Sequence, residues 1–223
     1  MTGLAEVTSR IHVEATAAGR DSHAIRLIAV SKMKSITDIE RIYDAGQRDF
    51  GENYVDELLE KSTKLACLPE VRWVYIGQLQ SNKIQRLVRQ CHEIQTIASI
   101  KHARYVQRYA LEEKKSRFPV WIHVNAASED QKAGTSAAEV PGLAAFISTE
   151  CPNLELQGLM AIPPNSYSDD VCNDVPQLYR DLRILANSVG LGKLSLGMSA
   201  DLRLAVQAGS DCIRIGTAIF GQR

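Results

Sequence analysis

Arg26-Leu-Ile-Ala-Val-Ser-Lys32, followed at once by a segment of helical spacing over residues 35–46, decides the reading of the fold. Leu27 to Ser31 is a short β-rich run. Ile36, Ile39, Ile42 and Tyr43 then recur three or four residues apart until Gly46 offers a stop. A short strand leading into an amphipathic helix is the first half of a parallel crossover, because parallel neighbours need a connection long enough to carry the chain back along the sheet.

The same unit recurs along the whole chain. Residues 49–53 precede a helix carrying Val55, Leu58, Leu59 and Leu65, and residues 73–77 precede a helix over 83–89. A weaker strand at 93–97 leads to a helix from about 99 to 115, and strand 120–125 to a helix over 137–149 that has Pro141 and Gly142 near its start. Strand 154–162, ended by Pro163-Pro164, leads to a long helix over 171–189. Strand 193–198 leads to a short helix over 202–208, and residues 212–216 form the eighth strand. Eight strand-helix units without a hairpin signal predict an α/β protein, a single (β/α)8 TIM-type barrel over residues 26–223. Residues 1–25, with Leu4, Val7, Ile11 and Val13 loosely at helical spacing, predict an N-terminal helical extension covering the barrel bottom. An open Rossmann-like sheet is the competing fold, but no GxGxxG opens the first helix.

A chain of 223 residues is long enough to complete one such barrel, and two domains would be cramped. Its 26 basic and 26 acidic side chains cancel, so no broad field favours nucleic acid or an anionic membrane. Five cysteines, odd in number and without a CxxC pair, read as reduced thiols and give no metal-ligand spacing. The first residues carry Glu6 and Arg10 and no continuous apolar core, unlike a secretory signal or spanning helix. These features predict a cytoplasmic monomer with no metal centre, no nucleic-acid partner and no membrane partner.

In barrels of this type the loops after the strands build the functional site, so polar residues at strand C-terminal ends carry the weight. Lys32 ends an apolar strand, where an amine can attack an aldehyde. Lys34 reads as a solvated charge. Arg214 interrupts an apolar strand. It either points outward as a salt-bridged structural residue or points into the mouth, where its permanent charge could donate to a pyridine nitrogen and keep it unprotonated. Gly216 and Thr217 free backbone N–H groups for an anion, and Ser199, with Asp201 following, opens another helix at the same end. Asn53 reads either as an N-cap or as a contact to a cofactor ring, and Glu52 either as a surface acid or as part of the lysine environment. His123 reads as a hydrogen-bonded core residue. Lys83, Arg86 and Arg89 share a helix face and read as solvated surface. Together the lysine and the anion cup suggest an aldehyde cofactor that carries a phosphate.

Ile28-Ala-Val-Ser-Lys32, Phe50-Gly-Glu-Asn-Tyr54, Ile76-Gly-Gln-Leu-Gln-Ser-Asn-Lys83, Gly158-Leu-Met-Ala-Ile-Pro163, Leu196-Gly-Met-Ser199 and the stretch from Ile213 to Gly221 resemble the pyridoxal phosphate homeostasis protein family, the YggS/PROSC group. The resemblance implies a fold-type III barrel like the N-terminal domain of alanine racemase. It implies pyridoxal 5'-phosphate (PLP) as cofactor, held as an aldimine on Lys32, with phosphate contacts at Ser199, Gly216 and Thr217 and with Arg214 near the pyridine nitrogen. It further implies a role in intracellular PLP homeostasis or delivery, with apo PLP-dependent enzymes as partners and without established catalytic turnover. A racemase-like enzyme is the alternative. Racemisation needs a proton on the opposite face, which a second β domain supplies in racemases of this fold, and no residues remain here to build one. Tyr75, where histidine is common in the family, and Gln78, where proline, glycine or histidine is more usual, depart from the family pattern.

Overall fold

The computed structural model describes residues 3–126, 133–164 and 166–222. Eight parallel strands close into a barrel in chain order: β1 (Arg26–Val30), β2 (Asp49–Glu52), β3 (Arg72–Tyr75), β4 (Glu93–Ile97), β5 (Phe118–Val124), β6 (Leu154–Ala161), β7 (Leu194–Ser195) and β8 (Cys212–Ile215). Pairing of Arg26 with Cys212 and of Ile28 with Arg214 joins the first strand to the last. The intervening helices are α2 (Ile36–Asp44), α3 (Val55–Lys64), α4 (Ile84–Gln90), α5 (Ile100–Glu112), α6 (Val140–Glu150), α7 (Gln177–Ser188), α8 (Leu202–Gln207) and α9 (Thr217–Phe220), preceded by α1 (Gly3–Ala17).

Strand parity divides the core in two. Ile28, Val74, Ile76, Trp121, Met160 and Cys212 fill the barrel, whereas Ala29, Phe50, Trp73, Tyr75 and Ile122 pack outward against the helices. The base of the barrel is ionic. Arg26 holds Asp49 and Glu93, each at 2.5 Å, and Arg72 holds the second oxygen of Asp49 at 2.5 Å. All of these groups sit at strand N-terminal ends, away from the mouth.

Helix α1 does not cover the barrel bottom as its sequence suggested. It lies along the outer wall against α8 and α9, burying Leu4, Val7, Ile11 and Ala15. Its first turn abuts the carbonyls of Ala218 and Ile219, beyond the end of β8. Past its other end, Arg20 reaches Asp211, just ahead of β8. The physical reason is vacancy: α8 and α9 span six and four residues, too short to shield β8, and the apolar stripe of α1 takes the place beside them.

Three further expectations need correction. The helix expected over 171–189 starts only at Gln177, because Pro176 holds an extended ψ of 147° and restricts Val175 as well. The helix expected over 137–149 is a short 3-10 turn, Ala137–Glu139, followed by α6 with Pro141 in its first turn, where a missing N–H costs little. The seventh strand is confined to Leu194–Ser195.

Candidate functional site

Arg26, Ile28, Val30 and Lys32 alternate with outward-facing neighbours, so the parity that fills the barrel with isoleucine and valine delivers the Lys32 amine to its mouth. The same count on β2 sends Asn53 inward and Glu52 outward. A cavity of about 320 Å³ opens at the C-terminal ends of β1, β2, β7 and β8, and Lys32, Asn53, Ser199, Arg214, Gly216 and Thr217 all line it. Val30, Ile76, Ile162 and Met198 supply its apolar wall.

Arg214 takes the inward alternative. It is 4% exposed, donates to the Ser195 carbonyl at 2.7 Å, to Ser195 Oγ at 2.5 Å and to the Ala161 carbonyl at 2.8 Å. All three acceptors are neutral, so the cation is held in place without being neutralised, and burial pulls its pKa down. A polar relay backs it: Ser195 Oγ donates to Gln95 Oε1 at 2.8 Å, and Gln95 Nε2 donates to Glu93 Oε1 at 2.7 Å. Glu93 is itself anchored on Arg26 at the barrel base. Ser195 and Gln95 escaped the sequence reading, although polar residues at the inward positions of the weak fourth strand were its visible sign.

His123 also faces inward, and burial, with the Arg214 charge nearby, pushes its pKa down to about 4, so the ring is neutral at physiological pH. Asn53 is not an N-cap. Tyr54 holds that position in α3 without a side-chain bond, and Asn53 Oδ1 is buried with no hydrogen-bond partner among the described residues. A buried acceptor left unmatched beside a cavity is a group awaiting a ligand or water. Gly216 precedes α9, whose first N–H groups have no intrahelical acceptor, and a Cβ at Gly216 would come within 3.2 Å of the Val30 carbonyl oxygen. Ser199 does not open a helix as expected. It lies in the loop before α8, where Asp201 takes the N-cap position and accepts from Met198 N at 2.7 Å. Arg10 of α1 ties that loop down, donating to the Ser199 carbonyl at 3.3 Å and to Asp169 at 2.5 Å.

Glu52 fits neither alternative, being neither a surface acid nor an inward part of the lysine environment: its carboxylate, fully buried between β2 and α3, meets Lys61 Nζ at 2.8 Å and Ser31 Oγ at 2.6 Å. Burial raises its pKa to about 7 against the opposing pull of Lys61. Lys61 was missed, though a lysine between Leu58 and Leu65 on an apolar helix stripe was a legible anomaly. Lys34 is not a merely solvated charge, since its Nζ donates to the Gly221 carbonyl at 2.9 Å. Lys83 and Arg86 pair with Asp56, and Arg89 pairs with Glu113. Tyr75, one of the two departures from the family pattern, donates its hydroxyl to the carbonyl of the other, Gln78, at 2.9 Å.

The family described as alanine racemase, N-terminal domain, matches residues 6–223. The pyridoxal phosphate homeostasis protein of Pseudomonas aeruginosa is 39% identical over 223 residues, covering 99% of this chain and 94% of its own. The human protein of the same name is 36% identical, over 99% of this chain and 85% of its own. Among solved structures, PipY of Synechococcus elongatus with PLP bound superposes with a TM-score of 0.81 at 31% identity, covering 95% of this chain and all of that one. Alanine racemase of Corynebacterium glutamicum shares the fold at a TM-score of 0.68 and 15% identity, over 97% of this chain and 60% of its own. Near-complete coverage of relatives that share one name, on the same barrel, places this chain in the pyridoxal phosphate homeostasis protein family.

Proposed function

We propose that this chain binds PLP in the mouth cavity, captures its aldehyde through Lys32 and contributes to intracellular PLP homeostasis or delivery. The observation that carries the proposal is the convergence of all six residues on one cavity, with an amine, a guanidinium whose acceptors among the described residues are neutral, and helix-opening N–H groups in its lining. When bound, PLP supplies an electrophilic aldehyde, a pyridine ring and a dianionic phosphate. Lys32 Nζ forms the Schiff base with that aldehyde, releasing one water. Ser199 and the N–H groups of Gly216 and Thr217 receive the phosphate. Asn53 contacts the ring, and Arg214 donates to its nitrogen.

That last contact bears on turnover. An arginine keeps its proton far above neutral pH, so it leaves the ring nitrogen without one and weakens the ring as an electron sink. Storage is favoured over chemistry at Cα.

Delivery is testable with an apo PLP-dependent enzyme and a phosphatase that destroys free PLP. PLP-loaded protein should restore the enzyme's activity under conditions where an equal amount of free PLP does not. Equal recovery from both sources would contradict delivery.

A further inference from the structure

Behind the cavity wall, two side chains of α3 grip the backbone on either side of Lys32. Lys61 Nζ donates to the Ser31 carbonyl at 2.7 Å, the oxygen of the peptide that enters Lys32. Glu57 Oε1 accepts from Met33 N at 2.5 Å, the N–H of the peptide that leaves it. Lys61 and Glu57 are themselves paired at 2.6 Å across one helical turn, and Lys61 also holds Glu52, which accepts from Ser31 Oγ. The chain needs such a grip. Met33 has a φ of 59°, a left-handed conformation unfavourable for a long side chain without surrounding restraint, and the residue is 61% exposed.

We infer that Lys61 and Glu57 are positioning residues for the Schiff-base lysine: they fix the two peptides flanking Lys32 so that its Nζ reaches the aldehyde of a phosphate-anchored ligand. Neither touches the cavity, and both act through the backbone. Lys61 occupies a core position of α3 and is only 5% exposed, yet its three acceptors satisfy all the protons of its ammonium. A leucine there would pack as well and hold nothing. The inference rests on the proposed role of Lys32 and concerns covalent capture, not phosphate recognition.

Two ligands separate those events. PLP can form the imine, whereas pyridoxine 5'-phosphate keeps the ring and phosphate but carries an alcohol in place of the aldehyde. Glu57→Ala should lower apparent PLP affinity by about tenfold, the order expected when a reacting group loses its alignment. The visible imine band should form more slowly, while pyridoxine 5'-phosphate affinity stays within about twofold of wild type because no bond to Lys32 is involved. Glu57→Gln keeps an acceptor for Met33 N and should recover most of the loss. The pair Glu52→Leu with Lys61→Met removes the two deeply buried charges together; Glu57 loses its ion pair but is partly exposed and keeps the Met33 N–H, so no deeply buried charge is left unpaired, and the variant should reproduce the aldehyde-specific defect. Equal losses for both ligands, or none for either, would overturn the inference. A wild-type protein that binds both ligands alike and shows no imine band would instead overturn the Lys32 reading, and the positioning role with it.

Discussion

Ser31 and Lys32 are chain neighbours sent to opposite sides of the barrel wall. One hydroxyl joins Glu52 beneath α3, and one amine enters the cavity. Removing that amine should separate the proposed covalent capture from anion binding. Lys32→Ala should lose the imine band yet still bind PLP more tightly than pyridoxal, because charge-assisted bonds to the phosphate, worth roughly 1.5 to 3 kcal/mol each, survive the change. Calorimetry with both ligands checks this, and equal affinities would place the phosphate elsewhere. His123 gives a second test at this scale. Its folded pKa of about 4 lies below its ordinary value of 6.5, so as pH falls between those values the unfolded chain takes up a proton that the native state refuses. The contribution to stability present at neutral pH is therefore lost through that window. Thermal melts of His123→Gln should fall less steeply than wild type from about pH 6.5 to about pH 4, and parallel curves would show that the imidazole is not held neutral.

At the scale of elements, the site depends on how closely the strand ends approach one another. A methyl group on Gly77, just past β3, would overlap the Asn53 carbonyl oxygen, and backbone cannot swing aside as a flexible side chain can. Gly77→Ala should cost about 1 to 3 kcal/mol of stability and weaken PLP binding by moving Asn53. Denaturant unfolding and ligand titration measure the two effects, and a neutral result would mean that the rim relaxes freely. Not every element was equally legible in the sequence. The apolar runs of β1 and β8 announce themselves, and the Lys32, Gly216 and Thr217 positions follow from their ends. The orientation of Glu52 and Asn53 was not readable, since a four-residue strand, Asp49–Glu52, with an acid at each end and one apolar side chain, has no apolar alternation to fix its parity. Nor was the place of α1. Its stripe shows that it packs, but which surface it covers depends on the shortness of α8 and α9, a property of the far end of the chain.

For the molecule as a whole, the barrel separates mutually paired charges at its base from those that line the mouth cavity. Arg26, Asp49, Arg72 and Glu93 close its base in a mutually paired set, while Lys32 and Arg214 stand toward its mouth. Ser195 and Gln95 join the two ends through the interior. Such a design would give the proposed binding site a rigid floor beneath an open mouth. No described helix is long and apolar enough to cross a membrane. The central proposition is that Lys32 makes the covalent bond to PLP. Incubating the protein with PLP, reducing with borohydride and mapping the modified peptide tests it most directly. A stoichiometric pyridoxyl label on Lys32 is the expected result, and a label confined to Lys34 or Lys61, or none at all, would contradict it.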